Sequence, residues 1–141
     1  AIKMISGLTP IGVRITGTEW EKEGFTIYDS IKFSKKLANL GCDYVCVSSG
    51  GNTPRPKIPI KPHYQVHLAK KIKHNVDILV RTVGMITKPK SAQKIISDNN
   101  ADMVAIGRAF LTNPRWVWDA GHVLGVNVNL PKQYERRFKK L

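Results

Sequence analysis

Four short apolar runs, each followed by a stretch with helical periodicity, recur along this chain and leave few folds open to it. The runs are Ile11-Gly12-Val13-Arg14-Ile15, Tyr44-Val45-Cys46-Val47, Asp77-Ile78-Leu79-Val80 and Met103-Val104-Ala105-Ile106. Each is short, rich in β-branched residues and nearly continuous, the pattern of a strand buried on both faces in a helix-covered parallel sheet. Between them, Thr26–Leu40 carries Ile27, Ile31, Phe33 and Leu37 at roughly helical spacing and stops at Gly41, a natural C′ glycine. Tyr64–Lys73 sets Val66, Leu68, Ala69 and Ile72 toward one side, and Ser91–Ser97 forms a third helical stretch. Pro114 is placed to open a last helix over 115–123 at its N1 position. Val13 to Val45 spans 32 residues, Val45 to Leu79 spans 34 and Leu79 to Met103 spans 24. A strand–helix–strand unit takes about 30. The expected class is therefore α/β, parallel strands alternating with helices, in one domain with no internal boundary.

Composition narrows the function classes. At 141 residues and 42% apolar content the chain can bury a core, which excludes wholesale disorder. No run approaches the ~20 apolar residues of a membrane span, and residues 1–8 lack the apolar h-region of a signal peptide. Cys42 and Cys46 are too few for a disulfide scaffold and read as small packing residues. A soluble protein in the reducing cytoplasm, without a membrane partner, is expected. The 23 basic and 10 acidic residues give a formal charge of +13, which raises a nucleic-acid reading. The lysines are scattered, as at Lys32, Lys35, Lys70, Lys71 and Lys94, and thicken only at Lys132–Lys140. No nucleic-acid motif or interleaved aromatic set accompanies them, so a solvated surface is the better reading.

The strand ends hold the chemistry. In α/β sheets and barrels alike, ligands bind at the carboxyl ends of the strands. Here the second run ends in Ser48-Ser49-Gly50-Gly51, the third in Val83-Gly84, and the fourth in Gly107-Arg108 just before a helical pattern. Glycine lets an anion approach the backbone, and arginine adds a bidentate phosphate contact. Two successive glycine-bearing ends match the phosphate site of (β/α)8 barrels, while the same glycines could serve as tight turns only. Arg14, inside the first run, is either at the ligand end of the sheet or a member of a structural ion pair. His63 and His67 have i, i+4 spacing but no neighbouring carboxylate or cysteine, so a helix-start pair is preferred to a metal site.

In order along the chain, Val13-Arg14-Ile15-Thr16, Asp43-Tyr44-Val45-Cys46-Val47-Ser48-Ser49-Gly50, Tyr64-Gln65-Val66, Val83-Gly84-Met85-Ile86, Ala101–Arg108, Asn113-Pro114-Arg115-Trp116 and Gln133-Tyr134-Glu135-Arg136 form one series. The series resembles the Old Yellow Enzyme family of FMN-dependent NAD(P)H oxidoreductases, in its bacterial thermophilic-like ene-reductase branch. The resemblance runs from about Pro10 to Phe138. It implies a TIM (β/α)8 barrel with FMN across its C-terminal mouth. A whole barrel takes roughly 250 residues, so the resemblance makes residues 1–141 the C-terminal half, strands 5–8.

The resemblance also assigns roles. Arg14 falls on the arginine at the flavin's pyrimidine edge, where a cation stabilises charge on the reduced ring. Gly84, Gly107 and Arg108 fall on the FMN phosphate site. Arg136 falls on an arginine that reaches into a neighbouring subunit's substrate site, although Arg137 and Phe138 replace the Gly-Trp that usually follows it. The family's substrate-binding histidine pair, its proton-donating tyrosine and its flavin-tuning residue have no match here. The implied function is an FMN-binding part of an enzyme that passes hydride from NAD(P)H to a small activated alkene. The chain alone would be weakly active or inactive and would need an N-terminal half-barrel or a second copy of itself. The competing readings are a catalytically inactive remnant that binds a phosphorylated ligand or nothing, and a basic nucleic-acid-binding module.

Overall fold

The computed structural model describes residues 7–54 and 57–137. Most of the segment read for a signal peptide lies outside them, as do Pro56 and Phe138–Leu141, and the Arg137 side chain is likewise not described. Four strands form one sheet: β1 (Gly12–Thr16), β2 (Tyr44–Ser48), β3 (Leu79–Thr82) and β4 (Met103–Val104). They lie in the order β1-β2-β3-β4, every pair parallel. The helices are α1 (Ile27–Asn39), α2 (Val66–Lys73), α3 (Pro89–Ser97), α4 (Arg108–Thr112) and α5 (Trp116–Leu124), followed by a 3-10 turn at Lys132–Arg137. Parallel neighbours in sequential order need a crossover of constant hand, which puts successive helices on one face. A doubly wound sheet would reverse its order at a switch point. This chain does not reverse, and its architecture is that of consecutive β/α units of a (β/α)8 barrel.

Strand alternation sorts the two faces. Ile15 on β1, Val45 and Val47 on β2 and Val80 and Thr82 on β3 are buried. Together with Leu68, Ala69 and Ile72 of α2 and Ala92 and Ile95 of α3 they make the core under the helices. Removing a side chain such as the fully buried Ile72 would cost about 2–5 kcal/mol. Two-sided burial, expected from the continuous apolar runs, holds only for β2, where Val45, Cys46 and Val47 are all buried. The opposite face carries Gly12, Arg14, Tyr44, Cys46, Leu79, Arg81 and Met103, and Leu79 there is 53% exposed. The helices cover one side only, so an apolar strand written for two covered faces presents one of them outward.

Local chemistry sets the boundaries. Thr26 and Asp29 form a capping box at α1. The Thr26 hydroxyl and its backbone N–H donate to Asp29 at 2.6 and 3.0 Å and hold that carboxyl below its ordinary range. Gly41, with φ +80°, follows the α1 C-cap in the left-handed conformation expected of it. The inner face of α1 differs from the expected apolar stripe. Ser30 and Ser34 are the buried residues, whereas Phe33 is exposed. Ser30 Oγ donates to the Thr16 and Gly17 carbonyls at 2.6 and 3.0 Å, so a small hydroxyl draws the helix against the end of β1. The last helix begins at Trp116, two residues after Pro114. The Asn113 side chain accepts the Arg115 N–H at 3.0 Å, and that turn takes up the residues expected to be helical. Pro89 holds the N1 position at α3. β4 ends at Val104, two residues short of the apolar run, because it has β3 alone as a neighbour. Among the described residues no helix is long and apolar enough to cross a membrane.

Candidate functional site

A cavity of about 400 Å3 opens over the carboxyl ends of β1, β3 and β4. It is lined by Arg14, Tyr64, Gln65, Val83–Thr87, Ala105, Gly107, Arg108 and Ala109. Four of the five residues singled out in the sequence, Arg14, Gly84, Gly107 and Arg108, thus converge on one site although they come from three different strands. Two guanidiniums and no carboxylate line it, which suits an anionic ligand. Arg136 is not in that lining. It is exposed on the Lys132–Arg137 turn. The turn is held to α5 by Arg115, whose guanidinium carbon lies 5.2 Å from the Trp118 ring centroid and 4.7 Å from that of Tyr134.

Each side chain has an identifiable support. Arg14 points to the uncovered face of β1, and its Nε donates to Ser48 Oγ at 3.0 Å, an end-of-strand hydroxyl on β2. Arg14, Cys46, Arg81 and Met103 share one row across the sheet. Arg81 lies beside Cys46 and stacks on Tyr44 with 4.8 Å to the ring centroid. The Cys46 sulfur raises the Arg81 pKa, against the effect of its burial. At the end of β3 the chain turns sharply: Gly84 has φ +131° and Met85 φ +51°. The Gly84 carbonyl accepts the His63 N–H at 3.0 Å, and the Val83 carbonyl accepts Gln65 Nε2 at 3.1 Å. Gly107 opens α4 with nothing within 4 Å of where a Cβ would stand, so the space above it is free for a ligand. Only five residues long, α4 adds little dipole. The cationic grip on this side therefore comes from Arg108.

Several supporting residues act through partners distant in the chain. Glu19, in the loop after β1, is buried, and its carboxylate accepts Asn52 Nδ2 at 2.5 Å and the Asn52 N–H at 3.3 Å. It ties together the two mouth loops that follow β1 and β2. Ser49 joins the end of β2 to Gln65, at the start of α2, through a 2.8 Å hydrogen bond. His67 packs against Trp20 with ring centroids 6.0 Å apart. Burial first, and then the charge of Lys71, lowers its pKa below the ordinary histidine value. His63, with φ +64°, sits in the turn before α2, and among the described residues no group of three or more His, Cys, Asp or Glu is arranged to hold a metal ion. Cys42 is half-buried beside the Ile11 and Tyr44 carbonyls, Cys46 is buried, and both are free thiols.

An NADPH dehydrogenase of Geobacillus thermodenitrificans (strain NG80-2) is 36% identical over 130 residues, covering 92% of this chain and 38% of the relative. An NADPH dehydrogenase of Geobacillus sp. (strain WCH70) is 35% identical over the same shares. The chain thus spans about two fifths of the length of these curated relatives. Histamine dehydrogenase from Rhizobium sp. 4-9 superposes with a TM-score of 0.72 at 23% identity, over 86% of this chain and 18% of that one, a likeness of fold. The family model for NADH:flavin oxidoreductases and NADH oxidases matches residues 1–127. With nine-tenths of its length matched, the chain belongs to the NADH:flavin oxidoreductase / NADH oxidase family.

Proposed function

We propose that this chain is the FMN-binding half, strands 5–8, of a (β/α)8-barrel NAD(P)H oxidoreductase of the ene-reductase type. Residues 1–141 then belong to a single half-barrel domain. The observation that carries the reading is the cavity over the strand ends, which holds Arg14, Gly84, Gly107 and Arg108 together and no carboxylate. A phosphorylated flavin suits these residues. A Cβ on Gly84 would stand 2.9 Å from Gln65 Nε2, whereas the space above Gly107 is open, so glycine at both positions leaves the backbone accessible to a phosphate. Arg108 would pair with that phosphate, and Arg14, oriented by Ser48, would stand at the pyrimidine edge of the ring.

Held by Arg14, Gly84, Gly107 and Arg108, the flavin would supply hydride transfer from NAD(P)H to the β-carbon of a small activated alkene. The reductant is in keeping with the curated relatives, named NADPH dehydrogenases. Proton donation and alkene binding would come from the remaining four strands, supplied by another segment or chain, or from a second copy. Arg136, exposed beside α5, would serve a neighbouring subunit's substrate site. The cytoplasm is the compartment that fits two free thiols.

Titration with FMN, followed by flavin fluorescence, tests the reading. Saturable binding that weakens roughly 10–100-fold in Arg108→Ala is expected, since a hydrogen bond to a charged group contributes about 1.5–3 kcal/mol. Absence of FMN binding by the chain, alone and mixed with a polypeptide carrying strands 1–4, would overturn it. Enone reduction with NADPH is expected only from the mixture.

A further inference from the structure

Gln65 occupies the N-cap position of α2, yet its side chain makes no capping hydrogen bond to the helix. It is 3% exposed, and its amide spans the mouth of the sheet instead. Ser49 Oγ, just past β2, donates to Gln65 Oε1 at 2.8 Å. Gln65 Nε2 donates to the Val83 carbonyl, just past β3, at 3.1 Å. A buried amide satisfied at both ends is confined to one orientation and acts as a strut.

The strut bears on the backbone of the anion site. The Val83 carbonyl shares a peptide plane with the Gly84 N–H. All peptides here are trans, so holding the carbonyl toward Gln65 turns that N–H away from it. His63 N–H does the same to the next plane, holding the Gly84 carbonyl at 3.0 Å and turning the Met85 N–H away from the 63–65 segment. Successive backbone N–H groups in a turn can make an anion-binding concavity, and Gly84 and Met85, in the turn after β3, line the same cavity as Gly107 and Arg108.

We infer that Gln65, braced by Ser49, is a positioning residue for phosphate recognition: it sets the peptide plane that presents the Gly84 N–H to the phosphate. This rests on the flavin reading above and names a residue that none of the strand-end motifs contains. The alternative role, filling space beside Gly84, would be met equally well by an apolar or isosteric side chain.

The test titrates the full chain with FMN and with riboflavin, which lacks the phosphate, and follows the Gly84 and Met85 amide resonances by NMR. Three variants are compared: Gln65→Leu, which fills the space; Gln65→Glu, which keeps the acceptor for Ser49 but has no donor for Val83 at neutral pH; and Ser49→Ala. FMN affinity is expected to fall about tenfold in both Gln65 variants and about threefold in Ser49→Ala, with riboflavin affinity within about twofold of wild type. The two amide resonances should move with FMN in the wild type and lose that response in the Gln65 variants. If Gln65→Leu does not fold, Gln65→Glu and Ser49→Ala carry the comparison. Equal weakening of both flavins, or FMN selectivity retained in every variant, overturns the inference while leaving the flavin reading intact. A wild-type chain that binds neither flavin, with or without strands 1–4, overturns both.

Discussion

At Gly84 the backbone has φ +131°, and an added Cβ would lie 2.9 Å from Gln65 Nε2 and 3.3 Å from the Tyr64 ring. Strain and contact act together there, so Gly84→Ala is expected to lower stability by about 1–3 kcal/mol and to abolish discrimination between FMN and riboflavin. Urea denaturation and flavin titration check the two parts. The place of this glycine at the carboxyl end of a strand was legible in the sequence, because it ends an apolar run. So were those of Gly107 and Arg108. Gln65 lay in the Tyr64-Gln65-Val66 stretch of the resemblance, but its bracing role was not legible, since by itself it reads as one polar residue near the start of a helix. Its partners lie 16 and 18 residues away, and no local pattern announces hydrogen bonds across such gaps. The same holds for Glu19, whose partner Asn52 is 33 positions away. Arg14 stood between a ligand-end cation and an ion-pair member. The structure sets it in the cavity lining, where its Nε donates to the Ser48 hydroxyl.

Among the elements, the strands are stitched at their amino ends by a repeated device. Asp43, just before β2, accepts the Ile11 N–H ahead of β1 at 2.7 Å. Asp102, just before β4, accepts the Val80 N–H of β3 at 2.8 Å and pairs with Lys73 of α2. Burial of Asp102 opposes its ionisation, but the Lys73 hydrogen bond, the Val80 N–H and the Lys73 charge outweigh it and hold the carboxyl below its ordinary value of 3.8. The native state therefore binds this proton less tightly than the unfolded chain. The stabilisation is whole at neutral pH and is lost as pH falls from about 4 through the lowered native value. Asp102→Asn should lower neutral-pH stability by about 1–3 kcal/mol and flatten that acid limb, as read from urea midpoints between about pH 6 and pH 3. Element identity was legible because periodicity reports it directly. Element ends were less so. The buried serines of α1 and the turn around Asn113 depend on side-chain hydrogen bonds that compete with helix formation.

For the molecule as a whole, the consequence is a sheet covered by helices on one side. Leu79, Arg81, Tyr44 and Met103 lie on the other, with Leu79 half-exposed and Arg81 resting on an aromatic ring and a sulfur. Such a face promotes association. The chain by itself is expected to sediment as a concentration-dependent oligomer. Leu79→Lys should shift it toward monomer, whereas Leu40→Lys, exposed at the end of α1, should not. A monomer at all concentrations would show that the face is stable as it stands. The alternation of short apolar runs with helical stretches, and the glycines that end the runs, determined from sequence alone that the chain is α/β with parallel strands and where its ligand end lies. Those features repeat over a few residues, so they survive without a third dimension. The tertiary structure alone decided which face of each strand the helices cover, that Arg14 and Arg108 share one cavity, and that Ser49, Gln65 and Val83 form a strut behind Gly84. These are contacts between segments distant in the chain, and they come into being only when the strands pair and the crossovers bring their ends together.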